Sequence, residues 1–210
     1  MTVTLSPFYA IVDAELLAAR GVALQDFARE LRAAGVGWLQ YRDKAGSPQE
    51  VLRAAALLRE ALAGSGCRLI LNDRADLAVL AGFDGVHVGQ GDLSPDDARR
   101  VVGPSKIVGV STHTDEQVRA AELSCADYVA IGPAFATGTK ADAEQVVGLE
   151  GVRRARALTH KPLVAIGGIT RANARSVLDA GADSVAVISG LFAPGESVEQ
   201  VARDFLELLR

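Results

Sequence analysis

Eight short apolar runs rich in Val, Ile and Leu recur along the chain, separated by amphipathic stretches. They are FYAIVD (8–13), GWLQYRDK (37–44), RLILND (68–73), GVHVGQ (85–90), KIVGVST (106–112), DYVAIGPAF (127–135), PLVAIGGI (162–169) and SVAVISGL (184–191). Runs that stay apolar without alternating suit strands covered on both faces, the habit of parallel sheets. The stretches LQDFARELRAAG (24–35), PQEVLRAAALLREALAG (48–64) and LEGVRRARAL (149–158) have helical spacing. A last one, SVEQVARDFLELLR (197–210), puts Val198, Val201, Phe205 and Leu208 on one stripe. Ser94-Pro95 predicts a helix start, with Ser94 as N-cap and Pro95 at the first helical position. Gly35, Gly64, Gly103 and Gly181 fall just past helical runs, where a left-handed residue is often needed. Eight strand–helix units with no Ser- or Pro-rich linker predict one domain over residues 1–210, a (β/α)8 TIM barrel. A doubly wound open sheet is the alternative, but it rarely needs eight such regular units.

Composition narrows the setting. Of 210 residues, 49% are apolar and 23% charged, which excludes a disordered chain. With 22 basic and 26 acidic side chains the net charge is −4, so neither nucleic acid nor an anionic membrane is an expected partner. Met1 to Val12 lacks a basic n-region and a small-residue cleavage site, so no secretory signal is expected. Cys67 and Cys125 are too few for a zinc site and read as reduced thiols of a cytoplasmic protein. The helical faces carry no unusual apolar stripe, which leaves a homo-oligomer open.

In such a barrel chemistry sits at the carboxyl ends of the strands, and there this chain turns polar. The second run ends Gln40-Tyr41-Arg42-Asp43-Lys44, and period two puts Gln40, Arg42 and Lys44 on one face. Two cations there invite an anion; a surface salt-bridge set with Asp43 is the plainer reading. The third run ends in Asn72-Asp73, and the fourth leads to Asp92. These carboxylates either share a hard cation such as Mg²⁺, which takes one or two protein carboxylates, or cap the following helices. Ser111 can donate to a phosphate or a heterocycle. His113 alone reads as a hydrogen-bonded structural residue, and His87, mid-strand, as a satisfied core histidine. Thr137-Gly138-Thr139-Lys140 is either a phosphate loop or turn chemistry. Gly167-Gly168 and Ser189-Gly190 end the last two runs, where backbone N–H groups and a short helix commonly bind phosphate. The residues alone thus describe two anion sites, suited to joining or splitting two phosphorylated small molecules.

Taken together, the strand ends resemble the thiamine phosphate synthase family. The resemblance runs from Tyr9 to about Phe192 through QYRDK (40–44), NDRADLA (72–78), DGVHVGQGDL (84–93), GVSTHT (109–114), DYVAIGP (127–133), TGTK (137–140), AIGGI (165–169) and VAVIS (185–189). It implies an enzyme that joins an aminopyrimidine-methyl diphosphate to a thiazole phosphate, plain or carboxylated, giving thiamine phosphate and pyrophosphate. It assigns the pyrimidine diphosphate to Gln40, Tyr41, Arg42, Asp43, Lys44, Asn72, Ser111 and Lys140. Arg42, Lys44, Ser111 and Lys140 would be catalytic, and Asp73 and Asp92 would hold Mg²⁺. Thr137, Gly138, Thr139, Gly168, Ile188 and Ser189 would hold the thiazole phosphate. The family's reaction is dissociative: pyrophosphate leaves, and the thiazole nitrogen captures a pyrimidine-methyl cation. No protein nucleophile is then required, in keeping with the absence of an obvious Ser–His or Cys–His pair. Ala136 departs from the pattern, since a proline commonly stands there, and implies a less rigid loop.

Three rivals share parts of this pattern. A thiazole tautomerase on the same barrel would carry a histidine where this chain has Pro133 and would lack the paired carboxylates. A non-catalytic phosphate-ligand sensor would bind without turnover. A sugar-phosphate isomerase would share the Gly-Gly and Ser-Gly cup without needing QYRDK.

Overall fold

The computed structural model describes residues 3–137 and 145–210. In chain order the elements are β1 (Phe8–Asp13), α1 (Ala14–Arg20), α2 (Leu24–Ala34), β2 (Trp38–Arg42), α3 (Pro48–Ala61), β3 (Arg68–Asn72), α4 (Ala75–Leu80), β4 (Gly85–Val88) and α5 (Pro95–Val102). They continue as β5 (Ile107–Thr112), α6 (Asp115–Leu123), β6 (Tyr128–Ile131), α7 (Gly148–Leu158), β7 (Leu163–Ile166), α8 (Ala174–Asp179), β8 (Ser184–Val187), one 3-10 turn (Ser189–Leu191) and α9 (Val198–Leu208). The eight strands pair in parallel and in chain order, and β8 pairs with β1 to close the barrel.

Helix starts follow the local chemistry. Ser94 accepts from the Asp97 amide at 3.1 Å with Pro95 opening α5, and Ser47 and Glu50 form a reciprocal capping box at α3. Gly35, Gly64, Gly103 and Gly181 all take positive φ. Two expectations are corrected. The first crossover carries the extra helix α1, capped by Asp13 through the Leu16 amide at 2.9 Å. The last strands also end earlier than their apolar runs, at Ile131, Ile166 and Val187. The residues beyond stay apolar because they pack the loops over the barrel end: Ala134, Ile169 and Leu191 are all buried.

Alternation along each strand divides the core in two. Tyr9, Ile11, Trp38, Ile70, Tyr128, Ala130, Val164 and Ala186 fill the barrel interior, while the opposite parity packs under the helices. Gly109 lies opposite Tyr128 in the β5–β6 register, and a Cβ there would sit 2.0 Å from the phenol ring. The missing side chain is what lets Tyr128 lie across the barrel, edge-on to Trp38 and Tyr9.

Candidate active site

A cavity of about 330 Å³ opens at the carboxyl ends of the strands. Gln40, Arg42 and Lys44 line it, as their period-two spacing requires. Tyr41 and Asp43 do not. Tyr41 is buried on the helix side, where its hydroxyl donates to Asp43 at 3.1 Å. Burial and the nearby Asp43 charge push that phenol well above its usual range. Asp43 also accepts from the amides of Ala45 and Gly46, which folds the turn after β2. The two cations therefore do not pair with Asp43: Arg42 bonds Asp13 of β1, and Lys44 bonds Asp73 after β3.

Asn72, Asp73, Gly89, Gln90, Gly91 and Asp92 form the next part of the rim. Asp73 has a left-handed backbone, φ +62°, a conformation that Asp tolerates better than most side chains. Neither carboxylate caps a helix: α4 has no side-chain cap, and Ser94 caps α5. Asp92 instead accepts from the Gly89 amide at 2.8 Å, which turns its carboxylate back toward Asp73. Burial raises the Asp73 pKa, Asp92 adds to the rise, and Lys44 opposes it. Two acidic oxygen donors are thus held side by side, at a cost to the charged form of Asp73.

Ser111 lines the cavity from β5, and its Oγ lies 2.8 Å from His87 Nε2. A Ser–His pair is therefore present after all. The two residues are 24 apart in sequence and meet only because β4 and β5 are neighbours with both side chains inward. His87 is satisfied, as expected of a core histidine, with Nδ1 2.8 Å from the Tyr128 hydroxyl, yet it also lines the cavity. His113 Nδ1 likewise bonds the Gly132 carbonyl at 2.6 Å while its ring faces the same space.

Ile166 and Ile188 close the far wall. Gly167 and Gly168 take positive φ, +100° and +63°, and a Cβ on either would strike the segment after β6. Ala134 N donates to Ile166 O at 2.8 Å and Phe135 N to Gly167 O at 3.0 Å, so the loops after β6 and β7 are latched together. The close approach made by this glycine pair is to the 133–136 backbone. Ser189 opens the 3-10 turn after β8, beside Ile188. Thr137 ends the described part of its loop; Gly138, Thr139 and Lys140 lie outside the described residues.

Tyr9, Tyr128, Gln90 and Gln117 also line the cavity, and no strand-end motif marks them as site residues. The legible signal was a tyrosine at an inward parity of β6 facing a glycine of β5.

Residues 8–191 match the family model described as thiamine monophosphate synthase. A thiamine-phosphate synthase of Koribacter versatilis (strain Ellin345) is 55% identical over 203 residues, 96% of this chain and 94% of that protein. One of Methanoculleus marisnigri is 43% identical over 188 residues, 90% and 88% of the two chains. The solved thiamine phosphate pyrophosphorylase from Pyrococcus furiosus superimposes with a TM-score of 0.85 at 30% identity, covering 97% of this chain and 95% of that one.

Proposed function

This chain belongs to the thiamine monophosphate synthase family, and from that premise we propose how its cavity carries out the reaction. The activity is that of a thiamine-phosphate synthase, a transferase acting on small molecules. The observation that carries the residue assignment is the Asp73–Asp92 pair, set beside Lys44 and Arg42 on the rim of one cavity.

A carboxylate whose proton affinity is raised by burial and by an adjacent carboxylate fits a hard divalent cation, which offsets that crowding and prefers oxygen donors. Asp73 and Asp92 would hold Mg²⁺, which when bound supplies positive charge to the departing diphosphate. Arg42 and Lys44 lie on the same rim and stabilise the negative charge that grows on that group as its bond to the methylene breaks. Asn72 and, in the segment outside the described residues, Lys140 are assigned to the same diphosphate. Gln40 and Ser111 orient the aminopyrimidine. Tyr41 and Asp43 act from behind, by holding the turn that carries Lys44. Thr137, Gly138, Thr139, Gly168, Ile188 and Ser189 take the thiazole phosphate, whose ring nitrogen must stand behind the pyrimidine carbon.

A cytoplasmic location belongs to the same reading and is supported by Cys67 and Cys125 both being free thiols. Among the described residues no helix is long and apolar enough to cross a membrane.

Purified protein, both phosphorylated heterocycles and Mg²⁺, followed by mass spectrometry, is the test. Thiamine phosphate and pyrophosphate should appear, and a chelator should abolish them. Supplying the thiazole with and without its carboxylate reads the preference between the two. Undiminished coupling under chelation would remove the metal role of Asp73 and Asp92.

A further inference from the structure

Five side chains form one continuous hydrogen-bonded chain across the floor of the cavity. Gln40 Nε2 donates to the Tyr9 hydroxyl at 3.1 Å, which lies 3.1 Å from the Tyr128 hydroxyl. Tyr128 is 2.8 Å from His87 Nδ1, and His87 Nε2 is 2.8 Å from Ser111 Oγ. Both phenols are fully buried, and burial raises their pKa far above the usual range, so each keeps its single proton.

We propose that Tyr128 is a positioning residue that ties the hydrogen-bonding character of Gln40 to that of Ser111, so that the cavity reads a donor and an acceptor of the pyrimidine as one unit. The proton count is what does this. Tyr9 accepts from Gln40 and passes its own proton to Tyr128. Tyr128 passes its proton to Nδ1, so His87 carries its proton on Nε2 and donates to Ser111. The Ser111 hydroxyl proton is left for the ligand as a donor, and Gln40 Oε1 is left as an acceptor. Reversing the chain requires turning over the Gln40 amide, and both ends then change together. One end is a donor whenever the other is an acceptor.

An amino group beside a ring nitrogen matches Gln40 Oε1 and the Ser111 hydroxyl. An oxo group beside a ring N–H mismatches both. The same polarity puts a proton on the nitrogen that faces Ser111, so His87 cannot draw a proton from that serine. Ser111 is a hydrogen-bond donor and not a nucleophile, as a reaction with no covalent enzyme intermediate requires.

This inference rests on the functional reading above, and its test separates the two. Nitrogen-15 spectra of the substrate-free protein at neutral pH, with His87 assigned by its loss in His87→Gln, should show a bare Nδ1 and a protonated Nε2. Calorimetry with the 4-amino and 4-oxo pyrimidine-methyl monophosphates should give a preference of roughly 100-fold for the amino compound. In Tyr128→Phe the ends turn independently, and the preference should fall below about tenfold in a protein that still unfolds cooperatively, its melting temperature lowered by several degrees through the two buried groups left without that hydroxyl. Tyr9→Phe cuts the next link and should do the same should Tyr128→Phe fold poorly. A protonated Nδ1 in the wild type, or either variant keeping the wild-type ratio, overturns the proposal while leaving the coupling activity standing. A wild type that binds neither compound overturns the functional reading first.

Discussion

Asp73 is held under tension by a neighbour of like charge. In the folded protein its pKa is raised, first by burial and then by Asp92, while the unfolded chain restores the ordinary carboxylate value. Between those two values the native state binds more protons than the unfolded one, so metal-free stability falls as pH rises through that window. Asp92→Asn should flatten this fall, seen in melting temperature against pH under chelation, while lowering kcat by about 100-fold or more in Mg²⁺. Arg42 is bound up differently, because its partner Asp13 is almost wholly buried and also caps α1. Arg42→Ala leaves that charge without its cation and should cost about 3 kcal/mol of stability, a fall of several degrees by calorimetry, besides its effect on turnover. Adding Asp13→Asn, which can still cap the helix, should restore most of the stability and none of the activity. At this scale the sequence is legible where a residue's own parity and place at a strand end put it on the rim. Arg42, Lys44, Asp73 and Asp92 all reached the cavity rim. It is not legible where partnership decides the role. Nothing local to Arg42 points to Asp13, and nothing local to Ser111 points to His87, because strand closure makes those pairs.

Three turns at the amino-terminal end of the barrel repeat one device. Asp84, Asp127 and Asp183 stand just before β4, β6 and β8, and each donates its amide to the carbonyl of Leu69, Val108 or Leu163 on the preceding strand. Each carboxylate accepts from that same residue's amide, at 2.8, 2.8 and 2.7 Å. An arginine completes each ring: Arg68, Arg99 and Arg156. Asp127→Ala leaves the Val108 amide and Arg99 short of a partner and should cost about 1–3 kcal/mol, lowering the melting temperature by roughly 2–12 °C. Because this ring lies at the end of the barrel away from the cavity, kcat and KM should stay at wild-type values in steady-state assays. Elements themselves were the most legible level: all eight strands lie inside the expected runs, and Ser94-Pro95 fixed the start of α5. Strand ends were not, because burial of Ala134, Ile169 and Leu191 under the loops keeps the sequence apolar after the hydrogen-bond ladder has stopped. The three aspartates were invisible for another reason. In sequence each is one polar residue at a strand start, and only the partner amide reveals its job.

At the scale of the whole molecule, the described charges around the cavity come close to balance. Among the described residues that line it, Arg42 and Lys44 are matched by Asp73 and Asp92, and both cations already bond carboxylates. A polyanion entering there meets balanced charge rather than a positive field. Inorganic pyrophosphate should therefore bind at least about tenfold more tightly with Mg²⁺ than with chelator in calorimetric titrations, and added salt should weaken the remainder. The barrel as a whole is closed by contacts between distant parts of the chain. Phe8 of β1 stacks on Phe205 of α9 with ring centroids 5.0 Å apart, Arg203 donates to the Ala33 carbonyl, and Glu199 N to Glu30. That seam orders events during synthesis. While the chain is still emerging from the ribosome, β1 has neither β8 to pair with nor α9 to cover it, so its apolar outer face is open to chaperones, proteases and other nascent chains. The seam is covered only when residues made late return to those made early, and a translational stall before α9 would leave all eight strands and a complete set of catalytic side chains on a barrel whose first strand still lies bare at Phe8.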